Sequence, residues 1–169
     1  VLTIWPDAAI SRTAFLIGGL SGLTMESIKF PALFIIAGII VALIVSYDMN
    51  LLSLGDETAK SLGLNVPVYR FIFLAISALL AGSAISFAGL IGFIGLIVPH
   101  AVRFLIGYDN RLLIPVSALL GSVFTLFCDL LSRVLFAPFE IPVGIIMSFL
   151  GGPFFIYLLL GEKRGRVYD

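Results

Sequence analysis

The charged side chains best placed to do chemistry in this sequence are Asp129 and Arg133, four residues apart within the apolar run Leu112–Ala137. A charge without a partner in a bilayer costs ~3 kcal/mol even on the lenient insertion scale, so such residues usually pair or face a cavity. On a helix, this spacing places both side chains on one face, where they can pair with each other. We predict a structural charge pair; the alternative is a role in gating or in contact with a partner protein.

The single histidine and the single cysteine restrict metal and redox chemistry. Cys128 has no second cysteine for an internal disulfide, and together with His100 it supplies too few ligands for a four-ligand zinc site. We interpret His100, which follows Pro99, as an anchor at a helix end; a metal ligand or proton relay is the alternative. The sequence motifs of ATPases, zinc proteases and serine hydrolases are missing. We therefore predict no enzymatic activity, no cofactor and no bound metal.

The composition places these residues in a membrane. Hydrophobic residues make up 60% of the chain, charged residues make up 12%, and the mean hydropathy is +1.18. A soluble domain carries about 25% charged residues, because its surface must face water. The formal net charge of zero gives no reason to expect nucleic acid as a partner. The sequence therefore predicts an all-α fold, a polytopic membrane helical bundle that forms one membrane domain over residues 1–169.

Apolar runs of membrane-spanning length divide the chain into about five to six segments. Pro31 suits the first turn of the second segment, because its missing N–H would be unpaired there anyway. The fourth segment is too short for a relaxed span, so we expect it to be tilted or partly buried in protein. The predicted segments are Ala8–Leu20, Pro31–Tyr47, Val68–Ala88, Gly92–Ile106, Leu112–Ala137 and Pro142–Leu160.

The polar connection Asp48–Pro67 contains a predicted surface helix within residues 53–64. Ser53 or Asp56 can cap its start, and Gly63 favours a left-handed stop at its end. Its apolar residues Ala59 and Leu62 lie about one turn apart, while its charged residues are expected to stay in water. Such a helix lying along the membrane is a docking element; an ordinary amphipathic loop helix is the alternative. The residues assigned to docking are Gly55, Asp56, Glu57, Ala59, Lys60, Leu62 and Gly63.

A series of small residues precedes Pro99. Gly82 and Ser86, four residues apart, allow helix backbones to approach closely, and packing alone is the simplest interpretation of any one such residue. Taken together, the glycines that follow indicate a break between two membrane helices. Irregular backbone at membrane depth persists only inside protein or beside a water-filled path. The residues assigned to such a path are Ser83, Ser86, Gly89, Gly92 and Gly95.

Lysine and arginine residues in the short loops predict the orientation, because they accumulate on the cytoplasmic side of a membrane. If the polar connection is cytoplasmic, its side of the membrane collects seven of them against two on the other side, so the connection and the C-terminal tail are both expected in the cytoplasm. The opposite, outer turn holds Glu140, Pro142 and Gly144, where Pro142 starts a helix whose dipole Glu140 can cap. The residues expected on the cytoplasmic side are Lys60, Arg70, Arg103, Arg111, Lys163, Arg164 and Arg166, against Lys29 and Arg133 on the other side.

Four motifs resemble those of the FecCD-like permease subunits of ABC importers for iron-siderophore complexes, haem and cobalamin. They are GGLSG-x-T at 18–24, LSLGDETAKSLG at 52–63, GLIGFIGLIVPH-x2-R at 89–103 and EIPVG at 140–144. The resemblance implies a multi-pass protein of the cytoplasmic (inner) membrane of a bacterium or archaeon. It also implies three protein partners: an ATP-binding cassette ATPase subunit whose groove holds the 52–63 motif, a substrate-binding protein near the outer turn, and a second, identical or different, permease subunit.

The chain departs from that family in length. Such permeases have about ten membrane helices, and this chain resembles only their C-terminal half. A truncated product, a fragment of a longer chain and one half of a split permease all fit the sequence. We therefore predict part of the translocation pathway of an importer for an iron chelate (siderophore or haem) or cobalamin; the alternative is a non-transporting membrane fragment or an assembly and interaction module.

Overall fold

The computed structural model describes residues 17–20, 22–135 and 141–165, with side chains up to residue 157. Within these ranges every regular element is an α-helix, so the predicted all-α fold is confirmed. In chain order the helices are α1 (Met25–Ile44), α2 (Ser46–Ser53), α3 (Asp56–Ser61), α4 (Val66–Ala88), α5 (Ile94–Ile106), α6 (Asn110–Val134) and α7 (Val143–Gly165).

Three of these helices are long and apolar enough to cross a bilayer: α1 with 20 residues, α4 with 23 and α6 with 25. No more than 11% of each apolar stretch is buried within the described chain, so most of its surface needs lipid or another protein as a cover. Helix α5 and residues 143–157 of α7 are shorter apolar helices. The prediction that the fourth segment is short is therefore confirmed.

Helix α1 begins well before Pro31, so the prediction that Pro31 occupies the first turn is wrong. Thr24 is the N-cap: its hydroxyl accepts the Ser27 N–H at 3.4 Å, and the Ser27 hydroxyl accepts the Thr24 N–H at 3.2 Å. This reciprocal capping box satisfies two N–H groups that the helix itself leaves without partners. Pro31 consequently lies inside the helix. The local caps outweigh the preference of proline for a first turn.

The other predicted segments correspond to helices with small shifts at their ends. The predicted segment Ala8–Leu20 lies outside the described residues except for 17–20. The helices begin at Val66 rather than Val68, at Ile94 rather than Gly92, at Asn110 rather than Leu112, and at Val143 rather than Pro142.

A break in the backbone separates α4 from α5. Gly89 and Phe93 both have positive φ angles, of 71° and 64°, in the stretch between the two helices. The carbonyl oxygen of Ala88, the last residue of α4, accepts the N–H of Gly19 at 3.0 Å. This bond satisfies an acceptor that the helix end leaves without an intrahelical partner. The break lies in the glycine-rich segment where the sequence predicts one, although Gly95 lies inside α5.

The chain divides into two compact units. The described part of the first comprises residues 17–20, 88–101, 120–135 and 141–165, and its buried core contains Cys128, Val143 and Met147. The second comprises residues 22–87 and 102–119, and one of its buried clusters is formed by Ala59, Leu64 and Val66. The predicted docking helix and the predicted outer turn thus belong to different units.

Candidate functional site

Helix α3 is a short helix between two glycines with left-handed backbones. Gly55 precedes it with a φ of 105°, and Gly63 follows it with a φ of 88°. The Gly63 N–H donates to the Lys60 carbonyl oxygen at 2.9 Å, and the Leu64 N–H donates to the Ala59 carbonyl oxygen at 3.0 Å. These two bonds close the last turn, and a positive φ at Gly63 meets no β-carbon clash. Gly63 therefore terminates helix α3, as the sequence predicts.

The start of α3 differs from the sequence prediction, because neither Ser53 nor Asp56 caps it. Gly55 occupies the N-cap position, and the Ser53 hydroxyl donates to the Asn50 carbonyl oxygen at 2.7 Å. The Asp56 carboxylate instead pairs with Arg70, whose Nη2 lies 2.9 and 3.0 Å from its two oxygens. Both side chains are about half exposed, so the pair contributes only ~0.2–1 kcal/mol. Its effect is positional, since it ties α3 to α4.

Helix α3 turns one face to the protein and the other to solvent. Ala59 is completely buried in a cluster with Leu64 and Val66. Leu62, expected on the same apolar face, is 58% exposed, and Leu54 is 61% exposed. Charged residues lie between the two leucines and are exposed as well. We define the α3 surface as the exposed residues Leu54, Glu57, Lys60 and Leu62.

A polar contact joins α2 to the turn that precedes α6. The Asn50 side-chain amide donates from Nδ2 to Asp109 Oδ1 at 2.7 Å. Its Oδ1 accepts the backbone N–H of Asn110 at 2.9 Å and the Asn110 Nδ2 at 2.8 Å. Close by, the guanidinium carbon of Arg111 lies 4.7 Å from the ring centroid of Tyr47, a cation–π arrangement. We call the contact of Asn50 with Asp109 and Asn110 the Asn50 clasp.

Asp109 also caps α6. Its Oδ1 accepts the backbone N–H of Arg111 at 3.0 Å, the usual N-cap bond to the second helical residue. This bond and the one from Asn50 favour the ionised carboxylate and hold the pKa of the Asp109 carboxyl below its ordinary value. Sequence reasoning missed this residue, although an aspartate directly before an apolar run is a recognised helix-start signal. Asn50 carries no comparable local signal.

The two serines assigned to the path lie beside a groove within the second unit. The groove has a volume of about 440 Å³, and its lining is almost wholly apolar. The Ser86 hydroxyl donates to the Ser83 carbonyl oxygen at 2.7 Å, so it is satisfied within its own helix. The residues that line the groove come from α1 and α4: Phe30, Pro31, Phe34, Ala78, Leu79, Gly82, Ser83 and Ser86.

Glycines permit close contacts in this chain, but not at the described glycines that the sequence assigned to helix packing or to the path. A β-carbon at Gly82, Gly92 or Gly95 would meet no atom of the described chain within 4 Å. At Gly38 a β-carbon would lie 2.6 Å from Leu80 Cδ2, so α1 and α4 pack closely there. At Gly151 it would overlap the side chain of Phe93. These pairings depend on which helices become neighbours.

Asp129 and Arg133 form an ion pair on α6, with Arg133 Nε 2.9 Å from Asp129 Oδ2. The arginine side chain is 46% exposed and the aspartate side chain is 21% exposed within the described chain. The pair is therefore only partly enclosed. Ser132, which lies between the two residues in the sequence, is buried, and its hydroxyl donates to the Asp129 carbonyl oxygen at 2.7 Å.

The start of α7 packs tightly against the segment before α1. Val143 is 2% exposed, and Gly144 is buried. A β-carbon on Gly144 would overlap the carbonyl oxygen of Ile17, and the Gly144 N–H donates to the Gly18 carbonyl oxygen at 3.4 Å. Pro142 directly precedes this helix. Glu140, assigned to the same outer turn, lies outside the described residues.

His100 lies in the middle of α5, so the prediction that it stands at a helix end is wrong; it is exposed, as is Arg103. Among the described residues, no group of three or more His, Cys, Asp or Glu side chains could hold a metal ion. The one described cysteine, Cys128, is completely buried.

Helices of bilayer-crossing length with uncovered apolar surfaces, joined by short polar segments, define a polytopic α-helical membrane protein.

Comparison with known proteins finds similarity to permease proteins of import systems. It is 40% identical over 159 residues to the iron(3+)-hydroxamate import system permease protein FhuB of Bacillus subtilis, covering 94% of this chain and 41% of that protein. It is 47% identical over 127 residues to the hemin transport system permease protein HmuU of Yersinia pestis, covering 75% and 38%. It is 42% identical over 145 residues to the cobalamin import system permease protein BtuC of Halobacterium salinarum, covering 86% and 39%.

A solved structure has the same fold. It represents an inward-facing conformation of an ABC transporter assigned to the metal-chelate type, and it matches with a TM-score of 0.85 and 30% sequence identity. The match covers 92% of this chain and 50% of that one. The chain belongs to the FecCD transport family, whose match extends over residues 1–161. It spans less than half the length of the curated relatives named above.

Proposed function

We propose that this chain forms part of the permease of an ABC-type importer for an iron chelate or cobalamin, located in the cytoplasmic membrane of a bacterium or archaeon. The observation that carries the proposal is the FecCD family match over residues 1–161, together with relatives whose names specify import of iron hydroxamate, hemin and cobalamin. A transport role also suits helices whose apolar surfaces are largely uncovered within the chain. In this role the chain catalyses no chemical reaction of its own.

The α3 surface is the proposed contact with a separate ATP-binding cassette ATPase subunit. Two exposed leucines beside exposed charges are the composition of a docking surface, in which apolar residues supply burial and charges supply specificity. The burial of Ala59 and the Asp56–Arg70 pair attach α3 to α4. A movement of α3 on binding the ATPase would therefore also displace a membrane-spanning helix.

Reversal of one charge on the α3 surface tests this docking. We expect Glu57→Lys to weaken capture of an ATP-binding cassette ATPase subunit co-expressed with this chain by about tenfold, because a reversed interfacial charge meets a like charge or loses its partner. Glu26→Lys, the same change at an exposed residue of the first turn of α1, serves as the matched control. Co-purification from detergent-solubilised membranes measures both. Equal capture by the two variants would exclude docking through this surface.

We further propose that Ser83, Ser86, Gly89, Gly92 and Gly95 lie along or beside the substrate path. The helix break at Gly89–Phe93 supports this, because non-helical backbone at membrane depth needs protein or a water-filled path around it. The open space beside Gly92 and Gly95 is also compatible with a neighbouring path. The other half of the path would come from the helices that the longer relatives possess and from a second permease subunit, with a substrate-binding protein docking near Pro142 and Gly144.

Cysteine labelling in intact cells tests the proposed orientation. Lys60 and Glu26 are both exposed; Lys60 lies in the last turn of α3 and Glu26 in the first turn of α1. We expect a membrane-impermeant thiol reagent to label Glu26→Cys in intact cells and Lys60→Cys only after permeabilisation. Cys128 is 0% exposed and should contribute little background, which the parent chain checks. Strong labelling at position 60 in intact cells would show that the protein has the opposite orientation in the membrane.

A further inference from the structure

The Asn50 clasp joins residues that are 59 and 60 positions apart in the chain. Its hydrogen bonds determine how the Asn50 amide is oriented. The backbone N–H of Asn110 can only donate, so the oxygen of the amide faces it at 2.9 Å. The ionised carboxylate of Asp109 can only accept, so the amide nitrogen faces it at 2.7 Å. One end of the clasp thus demands an acceptor and the other a donor.

Few other side chains meet both demands at position 50. A carboxylate there would accept the Asn110 N–H but would set a second negative charge against Asp109. A leucine of similar size would leave the Asn110 N–H without its acceptor and would remove the donor to Asp109. The side chain is therefore matched to its two partners rather than being a generic polar surface residue.

The clasp connects two elements with different roles. On one side, α2 leads directly into α3, and Leu51 and Leu52, the next residues after Asn50, pack against the cluster around Ala59. On the other side, Asp109 and Asn110 form the start of α6, a membrane-spanning helix of 25 residues. The Arg111–Tyr47 contact lies across the same junction. Helix α3 is therefore linked to α6 through α2 and the clasp, in addition to its link to α4 through Arg70.

We propose that Asn50 is a positioning residue that links α2 and α3 to the first turn of α6, so that movement of α3 is passed to this membrane helix. The proposal rests on the proposed ATPase docking at α3, and it adds which helix receives the movement and through which side chain. Asn50 contacts neither substrate nor nucleotide in this role. It acts through Asp109 and Asn110.

A reciprocal exchange of the two side chains provides the test. Asn50→Asp places two carboxylates together, so we expect about tenfold faster hydrogen exchange of the backbone amides at 110–113 in the chain reconstituted in lipid. Adding Asp109→Asn restores one donor and one acceptor, because the new amide at position 109 can donate to the carboxylate at position 50 and still cap Arg111. The double variant should return to within about twofold of the parent. Asn65→Asp, the same change at an exposed residue outside the clasp, should leave these amides unchanged.

The complete importer, assembled with its ATPase and binding protein, supplies the second measurement. Asn50→Asp should lower substrate uptake per ATP hydrolysed by about tenfold while ATPase capture is retained, and the double variant should recover most of it. Unchanged amide exchange in Asn50→Asp, or a double variant no better than the single one at normal yield, overturns the proposal. Altered exchange with unchanged uptake per ATP also overturns it. If the parent chain captures no ATPase, the proposed function fails, and the exchange measurement still decides whether the clasp exists.

Discussion

Replacing Gly144 by alanine is expected to destabilise the folded chain by about 3 kcal/mol, the upper end of the usual range for overpacking. The added methyl group would overlap the carbonyl oxygen of Ile17, a backbone atom that cannot rotate away. Gly18, next in the chain, is itself constrained, because a β-carbon there would lie 2.6 Å from the Leu90 carbonyl oxygen. The segment therefore has little room to move aside, and the start of α7 would have to shift.

The measurement is the midpoint of thermal unfolding in detergent or lipid nanodiscs, which should fall by roughly 6–12 °C for a loss of this size. Gly152→Ala in the same helix is the matched control, because no described atom lies within 4 Å of the position its β-carbon would take. That variant should be neutral or up to ~1 kcal/mol more stable, since alanine is the better helix former. Equal midpoints for the two variants would contradict the close packing of α7 against Ile17.

Removing one partner of the Asp129–Arg133 pair is expected to have the second largest effect, and removing both to have a smaller one. Arg133→Ala would leave the Asp129 carboxylate, which is only 21% exposed, without its closest cation. Charges at membrane depth cost ~3 kcal/mol on the insertion scale, so we expect a loss of about 1–3 kcal/mol from this partly exposed pair. The double variant Asp129→Ala/Arg133→Ala should recover much of that loss, because no unmatched charge remains.

A double-mutant cycle on folded yield and thermal midpoint measures the interaction energy. The Asp56–Arg70 pair is the internal control: its two side chains are 46% and 58% exposed, and breaking it should change stability by less than ~1 kcal/mol. Single variants of Asp129 and Arg133 with the stability of the parent would refute a structural role. A stable double variant that fails in uptake within an otherwise competent importer would assign the pair to the transport path instead.

Local features of the sequence were sufficient to predict the class of fold, the Asp129–Arg133 pair and the end of α3. The apolar runs predict membrane helices because backbone hydrogen bonds must be satisfied inside the segment that crosses lipid. The four-residue spacing predicts the Asp129–Arg133 pair because helical geometry alone makes such neighbours. Gly63 ends α3 with a positive φ, and the glycine-rich segment contains the break after Ala88, because both depend on the conformational freedom of single residues.

Where sequence prediction failed, the reason was a competing or distant partner. Pro31 fits a first turn, but Thr24 and Ser27 cap α1 earlier, and proline within a membrane helix is tolerated. Leu62 follows the helical period of Ala59, yet only Ala59 finds neighbours, since periodicity defines a face and does not say what covers it. The sequence likewise contains no sign that Gly38 rather than Gly82 permits close packing.

The tertiary structure alone decided which polar groups from distant segments meet. Asn50 and Asp109 lie in separate segments, and their pairing depends on how α2 approaches the start of α6. The contact of Gly144 with Ile17 spans most of the chain in the same way. A sequence specifies helices through interactions within a few residues, so it predicted the membrane elements of this protein. The partners across helices follow from three-dimensional packing, in which residues far apart in the chain become neighbours.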